Sequence, residues 1–206
     1  MIIPDDGYLK GVRDLCDKYK VLMIIDEVQT GFGRTGKLMA HHYEDVKPDM
    51  LVLGKALSAG VLPVSAVMGQ RDVMSLIGFG EHGGTFGGNP LAMAVSKRAV
   101  ELLTEDGLIE NSERLGNVMK ARLKQIDSKL IKDVRGRGLW CAVEMHEGND
   151  TYALNRVMIQ NGLLPKPTKK TIMRLAPALN IKEDVLLKGL DLFEKGLKSF
   201  EKSSKN

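Results

Sequence analysis

Two short apolar runs each stop at a charged residue. Val21-Leu22-Met23-Ile24-Ile25 ends at Asp26, and Met50-Leu51-Val52-Leu53 ends at Gly54-Lys55. Unbroken apolar runs of this length read as strands of a parallel sheet, covered on both faces. A third strand is expected over 63–68. Ahead of the first run, residues 7–20 carry Leu9, Val12, Leu15, Cys16 and Tyr19 at helical spacing, with Asp5 or Asp6 available as a cap. Residues 78–90 hold six glycines and form a loop, not regular structure. Asn89-Pro90 then opens a helix, with Asn as N-cap and Pro at the first helical position; Leu91, Val95, Ala99 and Leu102 give its face. A second helix covers 107–126.

The pattern changes near residue 130. Val134, 139–145, Leu163-Leu164 and 171–175 read as short strands, with a helix over 151–161 between them. Arg135 and Arg137 read as turn residues before a strand. A last helix begins at Asn180, with Glu183 three positions on as its capping-box partner. Helix and strand alternation followed by short strands with helices predicts an α/β protein: part of a larger parallel-type sheet domain plus a smaller C-terminal α+β domain. The boundary falls in the helical region 105–130, which gives domains 1–115 and 116–206.

Composition narrows the class. The chain has 206 residues, 43% hydrophobic and 27% charged, as in ordinary soluble domains. Its net charge of +4 is mixed along the sequence, so no nucleic-acid partner is expected. The basic end from Lys198 to Lys205 reads as a helix terminus and a polar tail. No apolar stretch is long enough to span a membrane, and no targeting segment is visible. Cys16 and Cys141 give neither a disulfide framework nor metal spacing and read as core residues. His41, His42, His82 and His146 show no metal spacing either, so no metal is expected. The apolar start, Met1-Ile2-Ile3-Pro4, is abrupt, and we expect a longer protein of which this is the C-terminal portion.

The candidate chemistry lies at the two strand ends. Open α/β sheets bind ligands beyond the carboxyl ends of their strands. A lysine and a carboxylate converging there suit pyridoxal phosphate (PLP): the lysine carries the cofactor covalently, and the carboxylate keeps a proton on the pyridine nitrogen. The loop Gly31-Phe32-Gly33-Arg34-Thr35-Gly36 also matches G-x-G-x-x-G, a dinucleotide-binding pattern. Its context argues against that use, because five residues, Asp26 to Thr30, separate it from the strand and no clear helix follows it.

Taken together, these motifs resemble the class III (ornithine-type) aminotransferases. Asp26-Glu27-Val28-Gln29-Thr30-Gly31 through Gly36 is similar to that family's DEVQTGxGRTG segment. Gly54-Lys55-Ala56-Leu57 is similar to its lysine motif, and Glu81 through Pro90 to its glycine-rich phosphate loop. The segments 162–168 and 172–177 resemble the C-terminal domain of the ornithine-specific branch. The resemblance implies the PLP-dependent transferase fold of type I. It implies Lys55 as the PLP-bearing, proton-moving lysine, Asp26 at the ring nitrogen, Val28 on the ring face and Gln29 at the ring hydroxyl. Thr85 would bind the cofactor phosphate across a homodimer interface, and Arg174 would take a substrate carboxylate. The implied reaction moves the δ-amino group of ornithine to 2-oxoglutarate, within arginine and proline metabolism. Acetylornithine and 4-aminobutyrate are alternative donors, and a dimerising fragment unable to hold PLP is an alternative of another kind. The implied compartment is the cytoplasm, or else the mitochondrial matrix.

The chain departs from the family pattern in three ways. Ala59 stands where the ornithine-specific branch usually has glycine, and Gly84 where it usually has serine. The family's N-terminal aromatic that stacks on the ring, a further phosphate loop, and the glutamate that pairs with the arginine matched by Arg174 are not found in this sequence.

Overall fold

The runs that end at Asp26 and Lys55 become β1 (Ile24–Asp26) and β2 (Met50–Leu53). They pair in parallel, in register from Ile24↔Met50 to Asp26↔Val52. The structure is a computed structural model that describes residues 1–203; the end of the predicted polar tail, 204–206, lies outside the described residues. The chain falls into two units. One comprises Pro4–Gly33 and Lys37–Ile109, the other Met1–Ile3, Arg34–Gly36 and everything from Glu110 on.

In the first unit β1 starts later than the apolar run. Val21 and Leu22 are taken up in leaving α1 (Tyr8–Tyr19), where the Val21 amide donates to the Cys16 carbonyl at 3.0 Å. The N-cap position of α1 falls on Gly7, at φ 87°, rather than on Asp5 or Asp6. The Glu44 carboxylate accepts from the Lys10 amide at 2.9 Å. That bond satisfies one of the amides every helix leaves open in its first turn. No residue of α1 is fully buried; Cys16 is half-buried.

β3 (Ala66–Gly69) makes the sheet mixed, because it pairs with β2 antiparallel, Met50↔Gly69 to Leu53↔Ala66. The twelve residues between β2 and β3 hold only a 3-10 turn, Lys55–Ser58. A parallel return needs a crossover, usually a helix. Without one, the chain re-enters at the end it left. A short helix, α2 (Arg71–Met74), follows, and the glycine-rich stretch is irregular up to α3 (Pro90–Glu105). The Asn89 side chain accepts from the Leu91 and Ala92 amides, and Pro90 is the first helical residue, as the sequence predicts. The buried face of α3 is Ala92, Ser96, Ala99 and Leu103, rotated from the expected one; Leu91 is exposed.

The second unit carries α4 (Leu108–Lys124) from Glu110 on, then β4 (Ile131–Gly136), β5 (Cys141–Met145), α5 (Thr151–Gln160), β6 (Lys166–Thr168), β7 (Ile172–Leu175) and α6 (Glu183–Ser203). Its strands form an antiparallel sheet in the order β4-β5-β7-β6. One core binds the helices to that sheet. Leu115, Met119 and Leu123 of α4, Leu154 and Met158 of α5, and Leu186, Leu190, Phe193 and Leu197 of α6 meet Cys141, Val143, Met145 and Met173. The α6 set repeats at three- and four-residue steps, as one helical face must. Burial pushes the Cys141 thiol up to about 12, so it packs as a small apolar group.

Three sequence expectations change here. Leu163-Leu164 is not a strand: Gly162, at φ 83°, ends α5, and the Leu163 amide closes back on the Met158 carbonyl at 3.0 Å. This is a Schellman-type stop, and the strand begins later, at Lys166. Arg135 lies inside β4, paired with Asp133 and Glu144. Asn180 does not cap α6, which begins at Glu183; the Glu183 carboxylate takes Arg114 at 2.5 Å instead.

Asp49 joins three pieces of the first unit. Its carboxylate accepts from the Met23 amide at 2.7 Å, from Arg13 of α1 at 2.8 Å and from Gln70 at 3.2 Å. The Met23 amide and the Arg13 guanidinium hold its pKa below the usual carboxylate value. Asp49→Ala should cost about 2–3 kcal/mol near neutral pH, since it orphans donors to a charged acceptor. A depressed folded pKa contributes stability above the unfolded value of about 4 and loses it as pH falls through the folded value. Urea titrations of both proteins at several pH values should therefore converge toward low pH. A gap that stayed constant would exclude an ionised Asp49 as its source.

Candidate active site

Asp26 is the last residue of β1, and its side chain is exposed. Its Oδ1 accepts from the Val28 amide at 2.9 Å, so the carboxylate is fixed by the backbone that follows it. The Glu27 amide still reaches the neighbouring strand, donating to the Val52 carbonyl at 2.9 Å, and the Gly31 amide donates to the Glu27 carbonyl at 3.0 Å. The chain thus leaves β1 in a hydrogen-bonded turn carrying Asp26, Val28 and Gln29. Val28 is half-buried and Gln29 exposed.

Lys55 stands two residues past the end of β2. Because β1 and β2 run parallel, Asp26 and Lys55 leave the sheet at the same end. Gly54 is extended, and a Cβ placed on it would lie 3.4 Å from Val28 Cγ1, so Val28 packs on the backbone just before the lysine. The Lys55 side chain is exposed, with its backbone at φ 44° in the left-handed region. That conformation is held by the 3-10 turn, in which the Leu57 amide donates to Gly54 and Ser58 Oγ to the Lys55 carbonyl. Lys55 and Ser58 line an open hollow of about 520 Å³ with residues 63–65, Phe86, Gly87 and Gly88.

Thr85 lies on the exposed glycine-rich loop, next to Phe86 but outside the residues that line the hollow. Asp26, Val28 and Gln29 are likewise outside that lining.

Arg174 belongs to the other unit, in the middle of β7, with Ala142 and Lys166 as its cross-strand neighbours. Its Nε is buried and has no hydrogen-bond partner among the described residues. Arg34, part of the same unit, donates to the carbonyls of Leu139 at 2.9 Å and Pro177 at 2.6 Å. Burial, and then the charge of Arg174, lower the Arg34 pKa. The two guanidiniums are therefore close enough for one to feel the charge of the other.

The sequence assigns no partners to Glu27, His41 and Arg34, which the structure shows bonded. Glu27 is 1% exposed and bonds to His41 and Thr30. Its signal was the Asp26-Glu27 doublet: at a strand end, adjacent side chains face opposite ways, so only one of the two acids can stay on the open side. Arg34 was read only as part of a loop motif. Its carbonyl partners are more than a hundred residues away, beyond the reach of local pattern.

The family profile for aminotransferase class-III matches residues 1–197. A probable mitochondrial ornithine aminotransferase of Caenorhabditis elegans is 46% identical over 204 residues, covering 99% of this chain and 48% of that protein. An ornithine aminotransferase of Toxoplasma gondii, crystallised with oxidised glutathione and described as showing partial occupancy of PLP at its active site, superposes with a TM-score of 0.96. It is 42% identical and covers 99% of this chain and 49% of the other. An acetylornithine aminotransferase of Elizabethkingia anophelis gives 0.92 at 46% identity, covering 96% and 50%. The chain therefore spans about half the length of the relatives it matches.

The Lys55 backbone can be tested without any ligand. A side chain in the left-handed region carries about 1–2 kcal/mol that glycine avoids. Lys55→Gly should be more stable than Lys55→Ala by about 1 kcal/mol in chemical denaturation, after the greater chain entropy of glycine is offset. An alanine variant equal to or more stable than the glycine variant would rule out the positive φ.

Proposed function

The chain belongs to the class-III aminotransferases, and on that premise we propose that it carries the PLP-binding lysine and carboxylate of an enzyme that transfers the δ-amino group of ornithine to 2-oxoglutarate. One observation carries the reading: Asp26 and Lys55 leave adjacent parallel strands at the same end, in the register Asp26↔Val52. The residues present fit the cofactor. An exposed lysine lines a hollow, a carboxylate fixed by a backbone amide stands at the neighbouring strand end, and Val28 packs where a Cβ on Gly54 would meet it.

When bound, PLP supplies the carbonyl carbon that takes the substrate amine and a ring that withdraws electrons from the adjacent carbon. The protein's part is positional and acid–base. Lys55 would hold the cofactor covalently, and its amine would carry a proton to and from the substrate carbon. The Asp26 carboxylate keeps a proton on the ring nitrogen, an opposite charge favouring the protonated ring. Val28 would pack on the ring face, and Gln29 would reach the ring hydroxyl. Arg174 offers a planar fork to a substrate carboxylate, and its unpartnered Nε supports that role. Thr85 lies on an exposed loop outside the hollow lined by its own Lys55. We also propose a homodimer in which Thr85 would bind the phosphate of the partner's cofactor, as the family resemblance implies. We further propose that the residues up to about 115 form the cofactor-binding part and those beyond it the substrate-carboxylate part.

A second donor is favoured by one specific finding, the likeness to an acetylornithine aminotransferase at 46% identity. Turnover on ornithine, acetylornithine and 4-aminobutyrate decides between them, and ornithine as the slowest donor would exclude the ornithine reading.

Borohydride reduction with PLP, followed by peptide mapping, should place the pyridoxyl group on Lys55 alone. In the complete protein, Lys55→Ala should lose transamination by about 10²–10⁴-fold or more. Label scattered over surface lysines, or an alanine variant with full activity, would overturn the assignment.

A further inference from the structure

Asp26 and Glu27 are adjacent acids with opposite surroundings. Asp26 is exposed, whereas Glu27 is 1% exposed. The Glu27 Oε1 accepts from the His41 amide at 2.9 Å and faces His41 Nδ1, also at 2.9 Å; Oε2 accepts from the Thr30 hydroxyl. His41 is itself 6% exposed and meets the edge of His42, with ring centroids 4.6 Å apart. A carboxylate taken out of water is costly unless its oxygens are occupied. Here three donors occupy them, from the turn itself and from the 3-10 turn Ala40–Tyr43.

The arrangement has a geometric consequence. Everything that bears on the open side of the turn, Asp26, Val28 and Gln29, lies within two residues of Glu27. The turn has three anchors: the β2 backbone through the Glu27 amide, the 3-10 turn through the Glu27 carboxylate, and its own Gly31 amide on the Glu27 carbonyl. A Cβ on Gly31 would come within 2.9 Å of Met39 Sδ, so the turn is also packed tightly from beneath. We propose that Glu27, held by His41 and Thr30, is the positioning residue that fixes Asp26 for the ring nitrogen of PLP. This rests on the cofactor reading above; Glu27 touches neither cofactor nor substrate and acts through the turn.

The test uses the full chain and PLP itself, with Glu27→Gln, Glu27→Ala and His41→Leu. Glutamine keeps a carbonyl oxygen for the two His41 donors and an amide for the threonine. Amide exchange over residues 27–31, without cofactor, should quicken by about tenfold or more in Glu27→Ala and stay near wild type in Glu27→Gln, the loss expected when a buried acceptor is deleted. The PLP dissociation constant should rise by about tenfold or more in the alanine variant and stay near wild type in the glutamine variant. The pH dependence of the bound cofactor's absorbance should shift with it, a signature that general destabilisation would not produce. His41→Leu, which removes one of the donors, should lie between the two and keeps the test alive if Glu27→Ala does not fold. Exchange and PLP affinity unchanged in the alanine variant, or in His41→Leu should the alanine variant not fold, would overturn the proposal. Exchange that quickens equally in the glutamine variant would overturn it as well. If wild type takes no PLP on Lys55, the cofactor reading falls instead, and the exchange data still decide whether Glu27 anchors the turn.

Discussion

Parallel strands deliver whatever follows them to the same end of a sheet. The pairing of β1 with β2 in the register Asp26↔Val52 is the constraint on which the candidate site depends. Asp26 and Lys55, twenty-nine positions apart in sequence, leave the sheet at one end because two three- and four-residue strands agree in direction. Asp49 maintains that agreement at the opposite end. It ties the entry of β1, through the Met23 amide, to the entry of β2, and both to α1. A one-residue slip of β1 would put Glu27 on the open side and bury Asp26.

The acidic doublet shows how a sheet edge sorts chemically similar groups. Asp26 keeps access to solvent and a single backbone amide; Glu27 is enclosed and accepts three donors. Hydrogen bonds to a charged acceptor in a water-poor setting are among the stronger single contributions a side chain can make. The enclosed acid is thus tied into the fold, and the exposed one keeps an open side. Arg13 and Asp49, paired and largely enclosed, follow the same rule.

Much of this was legible in the sequence, because it rests on local pattern. The apolar runs that end in charge marked β1 and β2, Asn89-Pro90 marked the start of α3, and the motif order marked the family. What escaped detection required partners far away in sequence. The direction of β3 depends on what lies between strands, and twelve residues without a crossover helix reverse it. The capping box at Asn180 had the right residue types. Yet Asn111 takes the carbonyls of Leu179 and Ile181 and Arg114 takes Glu183, so the helix begins three residues later. Leu163-Leu164 read as a strand because an apolar pair says nothing about Gly162, whose φ of 83° ends α5 instead. The burial of Glu27 and the carbonyl bonds of Arg34 are tertiary facts with no local trace.

Lys55 is the one candidate residue whose backbone works against it. A lysine at φ 44° sits where L-residues are disfavoured, and such conformations persist only when their surroundings over-determine them. The surroundings here are an extended Gly54 against Val28 on one side and a closed 3-10 turn on the other. With that backbone, Lys55 belongs to the lining of the hollow. The sheet fixes where the chain emerges, the Glu27 turn holds Val28, and the 3-10 turn holds the Lys55 backbone beside the hollow. Each element constrains the next, so the accuracy of the site is set by short, local hydrogen bonds rather than by the size of any core.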